Sequence, residues 1–164
     1  MSGQAIVLSH HVQKEIDLWV AKFPEGRQRS AVIAALHAVQ HENKGYLTAE
    51  LMNAVAHYLD LPPIQVYEIA AFYSMFETKP VGRHSISVCT NISCMLRGSD
   101  KIVSHVESKL GIKVGESTPD GKFFLKREEE CLAACCGAPM MMVDHHYYEN
   151  LTLDIVDRVL GELE

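Results

Sequence analysis

The sequence predicts an α+β chain, with an N-terminal four-helix bundle over residues 1–80 followed by a compact α/β domain with a mixed sheet over residues 81–164. Three observations carry that division. Apolar residues recur at helical spacing through the first half, between short breaks. The pattern changes at Lys79-Pro80-Val81-Gly82, the one convincing linker. All five cysteines lie beyond it, from Cys89 onward.

Each element has a local reason. Ser9 is an N-cap for a first helix through Val12, Ile16, Trp19 and Phe23, ended by Pro24-Glu25-Gly26. A second helix runs from about Ser30, with Val32, Leu36 and Val39 on one face, and stops near Gly45. Thr48 caps a third, where Leu51, Val55 and Tyr58 recur. Pro62-Pro63 breaks the chain and opens a fourth, because proline suits a first helical turn. Val66, Ile69, Ala70 and Tyr73 form its apolar stripe.

Beyond the linker, His84 to Cys89 alternates with period two and reads as a strand with Ile86 and Val88 on one face. Gly98 to Leu110 reads as a crossover helix, with Gly111 as its C-cap. Thr118-Pro-Asp-Gly121 is a turn between two short strands, Lys113 to Thr118 and Phe123 to Arg127. Met140 to Val143 is a short apolar run that reads as a buried strand, and Thr152 to Leu163 closes the chain as a helix.

Composition narrows the function. Fifteen Lys and Arg stand against 21 Asp and Glu, a net charge of −6. No basic run offers phosphate neutralisation, so nucleic acid is not the expected partner. No apolar run approaches the ~20 residues that span a bilayer, so no direct membrane insertion is expected. The N-terminus lacks a basic region followed by an apolar one, which makes the cytoplasm the default compartment. There is no Gly-rich phosphate loop and no G-x-G-x-x-G, so neither NADH nor FMN is expected on this chain itself.

The cysteines carry most of the information. They read C-x4-C (Cys89, Cys94), then 36 residues, then C-x3-C (Cys131, Cys135), with Cys136 immediately after. Two close pairs separated by most of a small domain is how folding assembles a metal or cluster site. The predicted elements put all four in loops at strand ends. Four thiolates need a cationic core, and Zn²⁺ and a [2Fe–2S]²⁺ core each supply two positive charges. Zinc knuckles favour the shorter C-x2-C form, whereas each iron of a binuclear cluster takes one pair. The small, apolar Cys131-Leu-Ala-Ala-Cys-Cys-Gly-Ala-Pro139 loop lets backbone N–H groups approach the sulfurs, a redox-tuning device. Spacing and setting therefore favour iron–sulfur and leave zinc open. A thioredoxin-type dithiol needs C-x-x-C, which is absent from the sequence.

Other features have plainer readings. Cys136 reads as a buried small thiol beside the site. Met140 to Met142 points to alternating faces and reads as core. His10-His11, His145-His146 and Glu128 to Glu130 read as solvated surface. Tyr67, Phe72, Tyr73 and Phe76 read as core or interface aromatics.

Three stretches resemble a known family: Val66-Tyr-Glu-Ile-Ala-Ala-Phe-Tyr-Ser-Met-Phe76 with Pro80-Val-Gly-Arg83, then Val88-Cys-Thr-Asn-Ile-Ser-Cys94, then Asp120-Gly-Lys-Phe123 with Cys131-Leu-Ala-Ala-Cys135 and Gly137-Ala-Pro139. Together they resemble the small iron–sulfur subunit of the NADH dehydrogenase module of respiratory complex I, called NuoE in bacteria. The resemblance covers essentially Ser9 to Leu163. It implies a thioredoxin-like ferredoxin domain behind the helical bundle. It also implies one [2Fe–2S] cluster per chain, with Cys89, Cys94, Cys131 and Cys135 as iron ligands and Cys136 outside the set. FMN and NADH would sit only in a partner, the NADH- and FMN-binding subunit (NuoF-like), with the large iron–sulfur subunit (NuoG-like) docked alongside. The implied role is an electron carrier without its own substrate site, within an NADH:quinone oxidoreductase on the cytoplasmic face of the bacterial inner membrane. The equivalent diaphorase subunit of an NAD-reducing hydrogenase or formate dehydrogenase shares fold and ligands. A zinc-stabilised interaction module is the non-redox alternative. The family commonly has Leu-Gly in the last ligand loop, whereas here Leu132 is followed by Ala133.

Overall fold

The helical half follows its caps. In the computed structural model, which describes residues 7–127 and 131–163, Ser9 accepts from the Val12 N–H and starts α1, His10–Val20. A 3-10 turn, Gln28–Ala31, precedes α2, Val32–Glu42. Thr48 accepts from the Leu51 N–H at the start of α3, Ala49–Tyr58. Pro63 opens α4, Pro63–Phe72. Val12, Ile16, Val32, Leu36, Val39, Val55, Val66 and Ala70 share one buried core. Full burial of an Ile, Leu or Val contributes roughly 1.5–3 kcal/mol, so this stripe rather than helix propensity holds the unit together. Gln40 ties down the segment after α4 by donating to the Met75 carbonyl and accepting from the Glu77 N–H.

Two expectations about the stripe need correction. The first helix ends at Val20, short of Phe23, and Trp19 is 38% exposed, its ring covered by the Lys22 ammonium rather than by core. On α3 the buried face is Met52, Val55 and Ala56, so Tyr58 faces solvent, where its hydroxyl donates to Asp17.

The chain divides after Pro80 into two compact units. The second contains β1, His84–Val88, then α5, Ile92–Leu96, and α6, Ser99–Leu110. It continues with β2, Phe123–Lys126, β3, Met141–Val143, β4, His146–Tyr148, and α7, Leu153–Glu162. The sheet order is β2-β1-β3-β4. β1 and β2 run parallel, with Ile86 opposite Leu125, and β3 and β4 are antiparallel additions. The mixed sheet is as expected, with a crossover helix between the parallel strands. Gly98 and Gly111, both left-handed, bound α6. Ile86, Val88, Leu125, Met141 and Val143 pack in one core with Ile102 and Val106 of α6 and Val156, Val159 and Leu160 of α7.

Three sequence expectations fail here. Residues 113–118 are not a strand. Gly115 takes φ 90° and the segment makes one isolated bridge, Ser117 to Phe124. β4 is an addition to the expected elements; it follows a turn in which Asp144 and His145 both have positive φ, without the Asn-Gly or Asp-Gly signal of a tight hairpin. The short α5 stands where the pattern predicts a loop. The expectation for Glu128 to Glu130 lies outside the described residues. No helix among those residues is long and apolar enough to cross a membrane.

Candidate metal centre

β1 delivers Cys89 to the edge of the core, where the Cys89 N–H donates to the Met140 carbonyl at 3.1 Å. The chain then turns through Asn91, whose side chain accepts from the Ile92 N–H and starts α5. Cys94 therefore sits in a helix and not, as expected, in a loop. Both thiols are 2% exposed. They pack with Leu132, Ala138 and Met140, so the second cysteine segment closes over the first pair. The methionine run alternates as expected, with Met141 in the main sheet core and Met140 and Met142 against the thiols.

Cys131 and Cys135 are exposed, with their sulfurs 3.4 Å apart. Ala133 bends the intervening loop at φ 62° and donates its N–H to Cys131 Sγ at 3.3 Å. A 3-10 turn, Cys135–Gly137, follows. Cys136 is exposed, contrary to the expectation of a buried thiol.

The electrostatics suit a cationic guest. Burial pushes the Cys94 thiol up to about 11, helped by a hydrogen bond with Cys89 and by the negative potential of Cys89 and Cys135; the Met140 backbone partly opposes this. A buried thiol that resists ionisation becomes a thiolate when a metal supplies the compensating charge. The thiols are arranged as two pairs. Among the described residues no three His, Cys, Asp or Glu side chains gather as they would about one metal ion. Two close thiol pairs are an arrangement that either one tetrahedral zinc or two irons, each taking two thiolates, can use.

Sequence reasoning missed two charged residues at this site. Arg97 Nη1 donates to the Ala138 carbonyl at 3.3 Å. Glu149 folds over Gly137, where even a methyl group would collide with its carboxylate. Neither belongs to a recognisable motif, because both depend on how the two loops meet.

Residues 16–164 match the family model described as thioredoxin-like [2Fe-2S] ferredoxin. The chain belongs to that family. Within it, the chain falls among the E-type subunits of NADH-quinone oxidoreductase, as its relatives show. It is 43% identical over 145 residues to the E-type subunit of NADH-quinone oxidoreductase from Rickettsia conorii, covering 88% of this chain and 86% of that protein. It is 42% identical over 114 residues to the E-type subunit of the same name, numbered 2, from Rhizobium meliloti, covering 70% of this chain and 66% of that protein, just under two thirds of its length. A crystal structure of an NAD+-reducing [NiFe]-hydrogenase in the air-oxidized state shares the fold, with a TM-score of 0.67 at 22% identity, over 78% of this chain and 22% of that one.

Proposed function

We propose that Cys89, Cys94, Cys131 and Cys135 hold a single [2Fe–2S] cluster, and that the chain is a one-electron carrier within an NADH:quinone oxidoreductase. The observation that carries the reading is the pairing of thiols two by two, one pair buried in an apolar cluster and the other exposed, within a family described by that cluster type. Such a group supplies one-electron redox chemistry when bound. The chain's own residues supply the rest. Cys89 and Cys94 offer buried sulfurs, Leu132, Ala138 and Met140 keep water from them, and the Ala133 N–H stabilises negative charge on Cys131.

Cys131 and Cys135 are on the exposed side of the pair arrangement. Electron exchange requires a close approach, so the partner's FMN would face this side. The partner is the NADH- and FMN-binding subunit, with the large iron–sulfur subunit alongside, at the cytoplasmic face of the membrane. The four helices from His10 to Phe72 form a bundle with a core of its own.

Affinity purification of the tagged chain from its own cells tests the assembly. Co-purification of a flavoprotein that oxidises NADH, together with quinone reductase activity, is the expected result. Co-purification of a hydrogenase or formate dehydrogenase instead would replace complex I with the corresponding assembly.

A further inference from the structure

We infer that Arg97 and Glu149 flank the loop carrying Cys135 and set the reduction potential of the centre held there, Arg97 raising it and Glu149 lowering it. The inference rests on the thiolate ligation proposed above. Arg97 lies three residues beyond Cys94, at the C-cap of α5. Its guanidinium donates to Ala138, so one cation is fastened to both ligand segments. Glu149 is fastened from the other strand connection. The Asn150 N–H donates to the Gly137 carbonyl at 2.6 Å and the Leu151 N–H to the Pro139 carbonyl at 2.9 Å. These bonds lay Glu149 along the loop, and the missing side chain at Gly137 makes room for its carboxylate.

The physics is Coulombic. Four thiolates and two ferric irons with two bridging sulfides carry −2, and reduction takes the total to −3. A fixed carboxylate opposes the added charge, and a fixed guanidinium favours it. Both residues are exposed, so solvent and salt weaken the effect without changing its sign.

The test is an EPR-monitored redox titration of the full chain as wild type, Glu149→Gln, Glu149→Asp, Arg97→Gln and Arg97→Lys. Glu149→Gln should raise the reduced-to-oxidised ratio at a fixed poise about threefold, a midpoint rise of about 28 mV at 59 mV per tenfold for one electron. Arg97→Gln should lower it by a similar factor. The charge-conserving variants should stay near wild type, and the differences should shrink at high salt. Unmoved midpoints in both neutral variants, or shifts of the same sign, would overturn the inference while leaving the ligand assignment standing. A wild-type chain that binds no iron–sulfur centre would overturn both. If one neutral variant loses its centre, the midpoint of the other decides.

Discussion

Cys131 Sγ and Cys135 Sγ lie 3.4 Å apart across a loop whose third residue donates its N–H to the first sulfur. One short segment thus presents a close pair of thiols. Cys89 and Cys94 form the other pair across the start of α5. The first pair is exposed and the second buried, so the site has a solvent side and a core side.

Ala133 holds that loop in the left-handed region at φ 62°. An L side chain costs roughly 1 kcal/mol there, and glycine removes the cost. Ala133→Gly should therefore stabilise the chain by about 1 kcal/mol, visible as a rise of a few degrees in Tm. Unchanged or lowered Tm would mean the Ala133 methyl makes a compensating contact.

Gly82 and Gly137 should both resist alanine, against different neighbours. A Cβ on Gly82 meets the backbone of Phe123 and Phe124, which cannot move without breaking the parallel pairing of β1 with β2. A Cβ on Gly137 meets the Glu149 carboxylate, which can rotate away, and also the Glu149 Cβ at 2.6 Å, which moves only with its backbone. Gly82→Ala should cost about 2–3 kcal/mol in urea unfolding, at the upper end of the overpacking range. Gly137→Ala should also cost about 2–3 kcal/mol, with part of the loss recovered in the double variant with Glu149→Gly, which removes the opposing Cβ, and none with Glu149→Ala, which keeps it.

Asp157 on α7 is held below the usual carboxylate range, first by Lys109 and then by His105, both on α6. Its pKa is lower folded than unfolded. The ionised carboxylate therefore favours the folded state above the unfolded pKa, and the gain is lost as pH falls through the folded one. Asp157→Asn should lower Tm at neutral pH, with the difference between the two proteins shrinking as pH falls through the lowered Asp157 pKa and its carboxylate is neutralised. A constant difference across that range would place the effect in packing rather than charge.

Much of the fold is legible in the sequence because local signals agree with packing. Ser9 and Thr48 cap helices as expected, and Gly111 ends one, whereas Thr152, read as the first residue of the last helix, is its cap. The failures come where tertiary contact outweighs local pattern. Residues 113–118 look strand-like, but Gly115 at φ 90° leaves them a single bridge. β4 has three residues, and pairing with β3 defines it more than its own sequence does. At the site, the cysteine pairs are visible in spacing alone. The burial of Cys89 and Cys94, the exposure of Cys136, and the contacts of Arg97 and Glu149 all arise from the meeting of segments distant in sequence.

We propose that Cys89, Cys94, Cys131 and Cys135 hold a two-iron centre. Metal and sulfide analysis with EPR after dithionite reduction, run on wild type, Cys135→Ser and Cys136→Ser, tests it most directly. Wild type and Cys136→Ser should carry about two irons and two sulfides per chain with an axial or rhombic reduced signal, the stoichiometry of one binuclear cluster. Cys135→Ser should lose the centre or recruit Cys136 with an altered signal. A colourless wild-type chain holding zinc, or loss of the centre in Cys136→Ser alone, would contradict the account.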